Sequence, residues 1–446
     1  MMPTGNLPDG VRDQEPVNGR PSIQQHRGPE RVLMFAYFFP PLGGSAVQRT
    51  LKYVKYLPRH GYVPTVITGQ PRWLPELRDD RLGSDIPDGA AVVRARTLPL
   101  ALIQGKLDGL LRRAGISSRL VAGALWPDEL VGWVPAAVWH GLRVIRERRP
   151  AVMFSTSLPA SSHLAALIVH RITGVPWVAD FRDSLTYDPG PEYTRARPPL
   201  RVISMLERRV VAEAAYITVA CDTIRLVDVD RNDRRRIFIP NGFDPDDVNP
   251  EAGVGSESVV GRFRLSYVGS LYGSRHGSPV FDAVKELGSR GCITADNFDM
   301  RIVGHVTLGE VDVGGVPVSC TGFVDHSRAV AEMLSATALF FHQPPEQLGA
   351  SGKIYEYLAS GRPILCVAHP DNAAFRLVDE LGAGECADVR NPEAVIDALR
   401  RLVERWQAGT LGSGEHVRKE AHRRFSREKL AGDLAEVLTE SALQPR

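Results

Sequence analysis

Apolar residues recur along this chain in two alternating rhythms. Runs such as Val32-Leu33-Met34-Phe35 and Val152-Met153-Phe154 are dense enough for strands buried on both faces, whereas Val47, Leu51, Val54 and Leu57 recur at three- and four-residue spacing, the stripe of an amphipathic helix. The pattern predicts strand 31–39, helix 45–60, strand 63–68, helix 135–147, strand 151–155, helix 161–173, strand 177–180, helix 200–214, strand 216–220 and a closing strand 237–239. Pro240-Asn241-Gly242-Phe243-Asp244-Pro245 is dense in turn residues and marks a crossover. Beyond it the alternation restarts with strand 263–269, helix 280–288, strands 299–303 and 318–320, helix 327–335, strand 338–342, a helix containing residues 353–358, strand 364–368, and helices 373–380 and 392–407.

Strands alternating with helices imply parallel sheets with right-handed crossovers, so the fold class is α/β with two doubly wound domains. At 446 residues the chain has length for two or three domains. Residues 1–30, polar and poor in aliphatic side chains, read as a disordered leader; 31–240 form the first domain, 241–247 the crossover, and a second domain follows from 248. Two open sheets in tandem leave a cleft between them, at the carboxyl ends of the strands, as the place for a ligand.

Composition narrows the partners. A formal charge of +2 argues against a dedicated nucleic-acid binder. The five cysteines, widely spaced and without a C-x-x-C pair, read as reduced thiols, and no run of about 20 apolar residues is present to span a bilayer. A cytoplasmic protein is expected. Arg234-Arg235-Arg236 and the cluster Arg143, Arg146, Arg148 and Arg149 read as solvated faces, with contact to anionic lipid headgroups at the inner face of the membrane as the alternative.

The most informative stretch is Ser351-Gly352-Lys353-Ile354-Tyr355-Glu356-Tyr357-Leu358-Ala359-Ser360-Gly361-Arg362-Pro363. Small residues open a helix whose N-terminus favours an anion, Lys353 adds a cation, and Glu356, on the same face, suits ribose hydroxyls. A solvated Lys/Glu pair on a surface helix is the alternative. Gly43-Gly44-Ser45 lies between the first strand and first helix, where bare backbone approaches phosphate closely. Asp180-Phe181-Arg182-Asp183 ends a strand on the cleft side, with charges placed to bind acceptor hydroxyls or act as base. Gly304-His305 and Gly322-Phe323-Val324 occupy equivalent turns of the second domain and suit a base and diphosphate. Gly382-Ala383-Gly384-Glu385-Cys386-Ala387 imitates a dinucleotide fingerprint without the strand-then-helix context, and Asp228-Val229-Asp230 and Asp244-Pro245-Asp246 imitate metal-binding pairs; none is assigned a role.

Together these segments resemble the family 4 retaining glycosyltransferases of the GT-B fold. The likeness covers nearly everything from Arg31 to Leu438, carried by Pro40-Pro41-Leu42-Gly43-Gly44-Ser45, Ile239-Pro240-Asn241-Gly242-Phe243-Asp244, Tyr267-Val268-Gly269 and the helix of Lys353 and Glu356. Trp126-Pro127-Asp128, Gly132-Trp133 and Asp180-Phe181-Arg182-Asp183 look like the bacterial branch that makes surface polysaccharides and related glycoconjugates. The resemblance implies two Rossmann-like domains facing a central cleft, a donor domain over 248–424, and a closing helix in 425–446 that packs back on the first domain.

It implies, further, transfer of a sugar from a nucleoside-diphosphate sugar to a hydroxyl acceptor with retention of configuration. The acceptor would be a lipid-linked glycan intermediate, a polysaccharide precursor or a small metabolite. The catalytic set would be Arg182, Asp183 and Lys353; the donor would be held by Gly43, Gly44, Gly269, Arg275, Gly304, Phe323, Val324, Ser351, Gly352, Lys353 and Glu356. No cofactor is expected and no metal ion is required, because Lys353, Arg275 and loop N–H groups take the charge of the leaving diphosphate. The chain departs from the family at Ser270, in place of an arginine, at Arg275, the nearest cation to an expected lysine, at Arg182, where many relatives carry histidine, and at Leu348, in place of a glutamate with Glu346 nearby. A nucleotide-sugar epimerase of the same architecture and a non-catalytic partner subunit are the competing readings; the Trp126 to Trp139 region, read as an acceptor surface, favours transfer over epimerisation.

Overall fold

The computed structural model describes residues 28–70, 78–98, 100, 126–186, 200–248, 261–271, 276–306, 311–412 and 414–444. Most of the expected leader, and Arg275, lie outside them.

In the first domain the order is β1 (Glu30–Phe35), α1 (Ser45–Tyr56), β2 (Tyr62–Thr68), β3 (Ala91–Arg94), α2 (Val134–Arg148), β4 (Val152–Thr156), α3 (Ala160–Thr173), β5 (Trp177–Phe181), α4 (Leu200–Glu213), β6 (Tyr216–Val219) and β7 (Arg236–Phe238). The strands form one parallel sheet in the order β3-β2-β1-β4-β5-β6-β7. The predicted helix 45–60 is divided: α1 stops at Tyr56 and a short 3-10 turn over Leu57–His60 follows. Pro58 explains the break, since it lacks the N–H that an α-helix interior needs.

The second domain runs β8 (Phe263–Val268), α5 (Ser278–Ser289), β9 (Phe298–Val303), β10 (Val318–Cys320), α6 (His326–Ser335), β11 (Ala338–His342), α7 (Lys353–Ser360), β12 (Ile364–Ala368), α8 (Ala373–Glu380), β13 (Gly384–Asp388), α9 (Pro392–Gln407) and α10 (Glu415–Phe425). Its parallel sheet has the order β10-β9-β8-β11-β12-β13. In each sheet the order reverses beside the first strand, between β1 and β4 and between β8 and β11, and ligand crevices open at such points.

Helices cover both faces of both sheets. In the first domain α2 and α3 close one face, around Trp133, Ala137, Ala165 and Val169. The other face is closed by α1 and by the last helix, α11 (Arg427–Ala442), which brings Leu430, Leu434 and Leu438 against Val47, Leu51 and Val54. Those three leucines are at most 1% exposed, and full burial of each contributes roughly 1.5–3 kcal/mol. The chain therefore crosses between domains twice. The crossings are hydrogen-bonded together: Phe243 N–H donates to Phe425 O at 3.1 Å, and Arg427 N–H to Phe243 O at 2.9 Å. Gly242 is needed there because a Cβ would lie 2.1 Å from Phe425 O.

Candidate active site

The carboxyl ends of β8 and β9 carry glycines packed on each other. Gly269 has φ +138 and Gly304 has φ +137; a Cβ on Gly304 would stand 2.2 Å from Gly269 O. Only residues without side chains allow this approach. Above the pair sits α7. Tyr357 pins it to β8, its hydroxyl accepting from Val268 N–H at 2.8 Å and donating to Val268 O at 3.3 Å. Ile354, Tyr357 and Leu358 fill the core beneath, so the helix must present Lys353 and Glu356 away from that core.

Lys353 lies over the bare backbone. A Cβ on Gly269 would fall 1.6 Å from Lys353 Nζ, and Nζ donates to Tyr267 Oη at 3.2 Å and lies 4.7 Å from the centre of that ring. Ser351 and Gly352 open the helix with no side-chain cap. Glu356 is half-buried. Burial pushes its carboxyl above the ordinary range, against the opposing pull of His326, Lys353 and Arg427 and with support from Asp247. Phe323, in the turn after β10, is 91% exposed, and Val324 beside it is half-buried. The loop after β11, which holds Glu346 and Leu348 where the family's first glutamate is expected, is braced by amides: Asn372 Nδ2 donates to Gln343 Oε1 at 3.0 Å and to Gln347 O at 2.6 Å.

From the first domain, Gly44 (φ +87, exposed, open space beside it) opens α1, and Gly43 is buried behind it. Arg182 reaches the same helix start, Nη1 donating to Ala46 O at 3.1 Å, and burial lowers its guanidinium from the ordinary value. Asp183 is half-buried, its carbonyl accepting from Ser157 Oγ at 3.2 Å. Thus the structure groups Gly44 with Arg182 on one wall, and Gly269, Gly304, Lys353 and Glu356 on the other. The walls meet at the rim: Arg376 pairs with Asp222 at 3.1 Å, Arg81 with Asp325 at 3.7 Å, and His326 with Asp247 at 3.5 Å.

Three expectations need correction. Asp180, read with Arg182 and Asp183 as a cleft charge, is 0% exposed and fully engaged: it accepts from Arg49 Nε and Nη2 at 3.1 and 2.8 Å and from the Thr156 and Thr218 hydroxyls at 2.7 Å each. Burial alone would raise its carboxyl, but Arg49 and the two hydroxyls bring it below the ordinary range. Arg49 also donates to Ile239 O and Pro240 O at 2.9 Å, tying α1 to the crossover. Next, residues 126–139 are mainly core rather than acceptor surface. Trp133 is buried against Tyr37 at 5.6 Å, and Asp128 caps α3 by accepting from Ser161 N–H and Oγ at 2.8 and 2.7 Å. Trp139 alone of the three tryptophans there is exposed, at 58%. Lastly, the discounted Asp244-Pro245-Asp246 does carry a role, though not with metal. Asp244 pairs with Lys52 and Lys55 at 2.5 and 2.8 Å and accepts from Tyr56 Oη at 2.5 Å; burial opposes ionisation but these donors win, and its carboxyl falls to about 2. Among the described residues, no group of three or more His, Cys, Asp or Glu is placed to hold a metal ion.

Two facing Rossmann-like domains, with the last helix returned to the first and glycine-lined strand ends meeting across a cleft, define the GT-B fold. Residues 44–242 match the glycosyl transferase 4-like domain. The similarity to the family 4 glycosyltransferases thus lies in the first domain.

A GDP-mannose-dependent alpha-(1-6)-phosphatidylinositol dimannoside mannosyltransferase of Mycobacterium tuberculosis is 29% identical over 189 residues, 41% of this chain and 45% of that protein. The match thus spans about half the length of that curated relative. A glycosyltransferase from Rickettsia africae ESF-5 superposes with a TM-score of 0.66 at 9% identity, covering 94% of this chain and 100% of its own. Anabaena Alr3699/HepE, crystallised in complex with UDP, superposes at 0.59 with 14% identity, covering 92% and 100%. At these identities the two structures establish the shared fold.

Proposed function

We propose that the chain transfers a sugar from a nucleoside-diphosphate sugar to a hydroxyl acceptor with retention of configuration. The observation that carries the reading is Lys353 lying on the bare backbone of Gly269, with Glu356 one turn along the same helix. Breaking the anomeric bond builds negative charge on the leaving diphosphate, and a cation held over open backbone stabilises it without a metal ion. Glu356 takes the ribose hydroxyls, Phe323 supplies an open aromatic face for the base, and Gly44 with Arg182 closes on the donor from the first domain. The departing phosphate oxygen deprotonates the acceptor on the same face. Domain closure excludes water and limits donor hydrolysis.

GDP-mannose and a lipid-linked glycan are the donor and acceptor favoured by the mycobacterial relative's name; the UDP bound by the Anabaena protein makes a uridine nucleotide the alternative to test. The enzyme would act from the cytoplasm on the inner face of the membrane. Supporting a peripheral contact, α2 exposes Trp139, Arg143 and Arg146 along one side, the amphipathic and basic side chains that favour a lipid interface. Incubation with a panel of nucleoside-diphosphate sugars, with and without glycolipid acceptors and chelator, tests the reading. Acceptor-dependent release of nucleoside diphosphate that persists in chelator supports it. Interconversion of the donor without acceptor would make the chain an epimerase, and binding of no donor would make it a non-catalytic subunit.

A further inference from the structure

Two thiols stand together on the second sheet, outside the cleft. Cys366 in β12 and Cys386 in β13 are paired directly in register on neighbouring parallel strands. Residues paired in this way project from the same face of a sheet, and both pack with residues of α7 and α8 there. Neighbouring strands lie about 4.8 Å apart, inside the roughly 4.4–6.8 Å between α-carbons that a disulfide spans. Both cysteines are free. Cys366 is 0% exposed, whereas Cys386 is half-buried, so a small oxidant reaches Cys386 first.

The thiols also touch the helix above them. Cys386 Sγ donates to Phe375 O, in α8, at 3.6 Å. With that proton directed at Phe375, Cys366 is the donor in the hydrogen bond that joins the two side chains; this bond and burial hold the Cys366 thiol well above its ordinary range. Arg376, the residue after Phe375, pairs with Asp222 of the first domain at 3.1 Å, and Asn372, which caps α8, braces the loop after β11. The thiol pair thus lies under the helix that forms one rim of the cleft.

We propose that Cys366 and Cys386 are a site of reversible oxidation, closing to a disulfide that frees α8 from its bond to Cys386. With hydrogen peroxide as oxidant, the Cys386 sulfur attacks one peroxide oxygen and the O–O bond breaks; a sulfenic acid forms, and the second oxygen leaves with the thiol proton as water. The Cys366 sulfur then attacks the sulfenic sulfur, the S–O bond breaks, and the departing hydroxide takes the Cys366 proton as a second water. Two thiols have lost two electrons, and one peroxide has become two waters. The disulfide carries no S–H, so the bond to Phe375 O is lost. Its formation is independent of the donor-site reading; only its effect on nucleotide binding rests on that reading.

The test is to treat the full chain with hydrogen peroxide, alkylate the remaining thiols after unfolding, and map the peptides by mass spectrometry. A peptide pair joined through Cys366 and Cys386, and separated by dithiothreitol, is expected. Exposed Cys320 shows in the same digest that the oxidant acted. Cys386→Ala should leave Cys366 reduced, because burial shields it. Cys366→Ala should carry Cys386 on to the sulfinic acid, since no partner traps the sulfenic acid. Calorimetry with GDP and UDP reads the consequence: oxidation should weaken binding about two- to fivefold, the effect of one weak hydrogen bond, and dithiothreitol should restore it. Cys386→Ala should bind like the oxidised wild type and ignore peroxide. The proposal is overturned if Cys366 stays reduced in the wild type while Cys320 is oxidised, or if Cys386 is recovered joined to another cysteine. A complete disulfide with unchanged nucleotide affinity would overturn its action through α8. A reduced chain that binds neither GDP nor UDP would instead remove the donor reading and leave the disulfide standing.

Discussion

Gly269→Ala offers a sharp perturbation because two penalties fall on different observables. The first is local: at φ +138 an L side chain is strained, at about 1–3 kcal/mol. The second falls on ligand. The new methyl would stand 1.6 Å from Lys353 Nζ and 2.2 Å from Cε, so one of them must move, and the flexible end of the lysine is what yields. Displacing the cation forfeits a charge-assisted contact of about 1.5–3 kcal/mol, or roughly 10- to 150-fold in affinity for a nucleoside diphosphate. Calorimetry on wild type, Gly269→Ala, Lys353→Ala and the double variant reads the second penalty; thermal unfolding reads the first. Both single variants should bind more weakly. The double should bind no more weakly than Lys353→Ala, since the lysine can be lost only once. Gly304→Ala is the contrast: its Cβ would meet the backbone oxygen of Gly269 at 2.2 Å, which cannot swing aside, so its main loss should be in stability. Wild-type affinity in Gly269→Ala, or penalties that add fully in the double variant, would refute the placement of Lys353 over the diphosphate.

Arg49→Met leaves the Asp180 carboxylate buried without its cation and should lower stability by about 3–5 kcal/mol in urea denaturation; a midpoint equal to wild type would contradict the structural role assigned to the pair. Asp244 has a folded value of about 2 against an ordinary value of roughly 3.9, so its stabilisation is complete above about pH 4 and is lost as pH falls towards 2. Asp244→Asn should flatten that limb of an acid-unfolding curve, and an unchanged limb would remove Asp244 as its source. Phe323→Ala should leave the melting temperature unchanged, the ring being 91% exposed, and weaken nucleotide binding by about 0.5–1.5 kcal/mol; no change in binding would free the ring from the base.

What could be read from sequence follows from which interactions are local. Buried parallel strands announce themselves as runs of β-branched and aromatic residues, and the α7 helix states its own core face through Ile354 and Leu358. Two edge strands did not: β3 is four residues of partial burial, and β13 begins at Gly384, inside the string read only as a failed fingerprint. Here Gly384 is required because a Cβ would lie 2.0 Å from Ile364 O on the neighbouring strand. Helix α10 was missed because, among eleven residues, only Val417, Ala421 and Phe425 are buried, too thin a stripe amid charge.

The same logic divides the site. Lys353 and Glu356 were legible because residues three apart on a helix share a face whatever the rest of the fold does. The role of Asp180 was not, since its partners Thr156, Thr218 and Arg49 lie 24, 38 and 131 positions away and only the sheet brings them together. A signal did exist for the Asp244 network, in lysines 52 and 55 spaced along one helix, but nothing local indicates that they face the crossover.

The central claim is that the second domain holds a nucleoside diphosphate between Gly269, Lys353 and Glu356. A crystal structure with GDP or UDP bound tests it most directly. The account predicts the diphosphate on the open backbone of Gly269 with Lys353 Nζ at hydrogen-bond distance, and the ribose hydroxyls on Glu356. A nucleotide seated against the first domain alone, with Lys353 still resting on Tyr267, would contradict it.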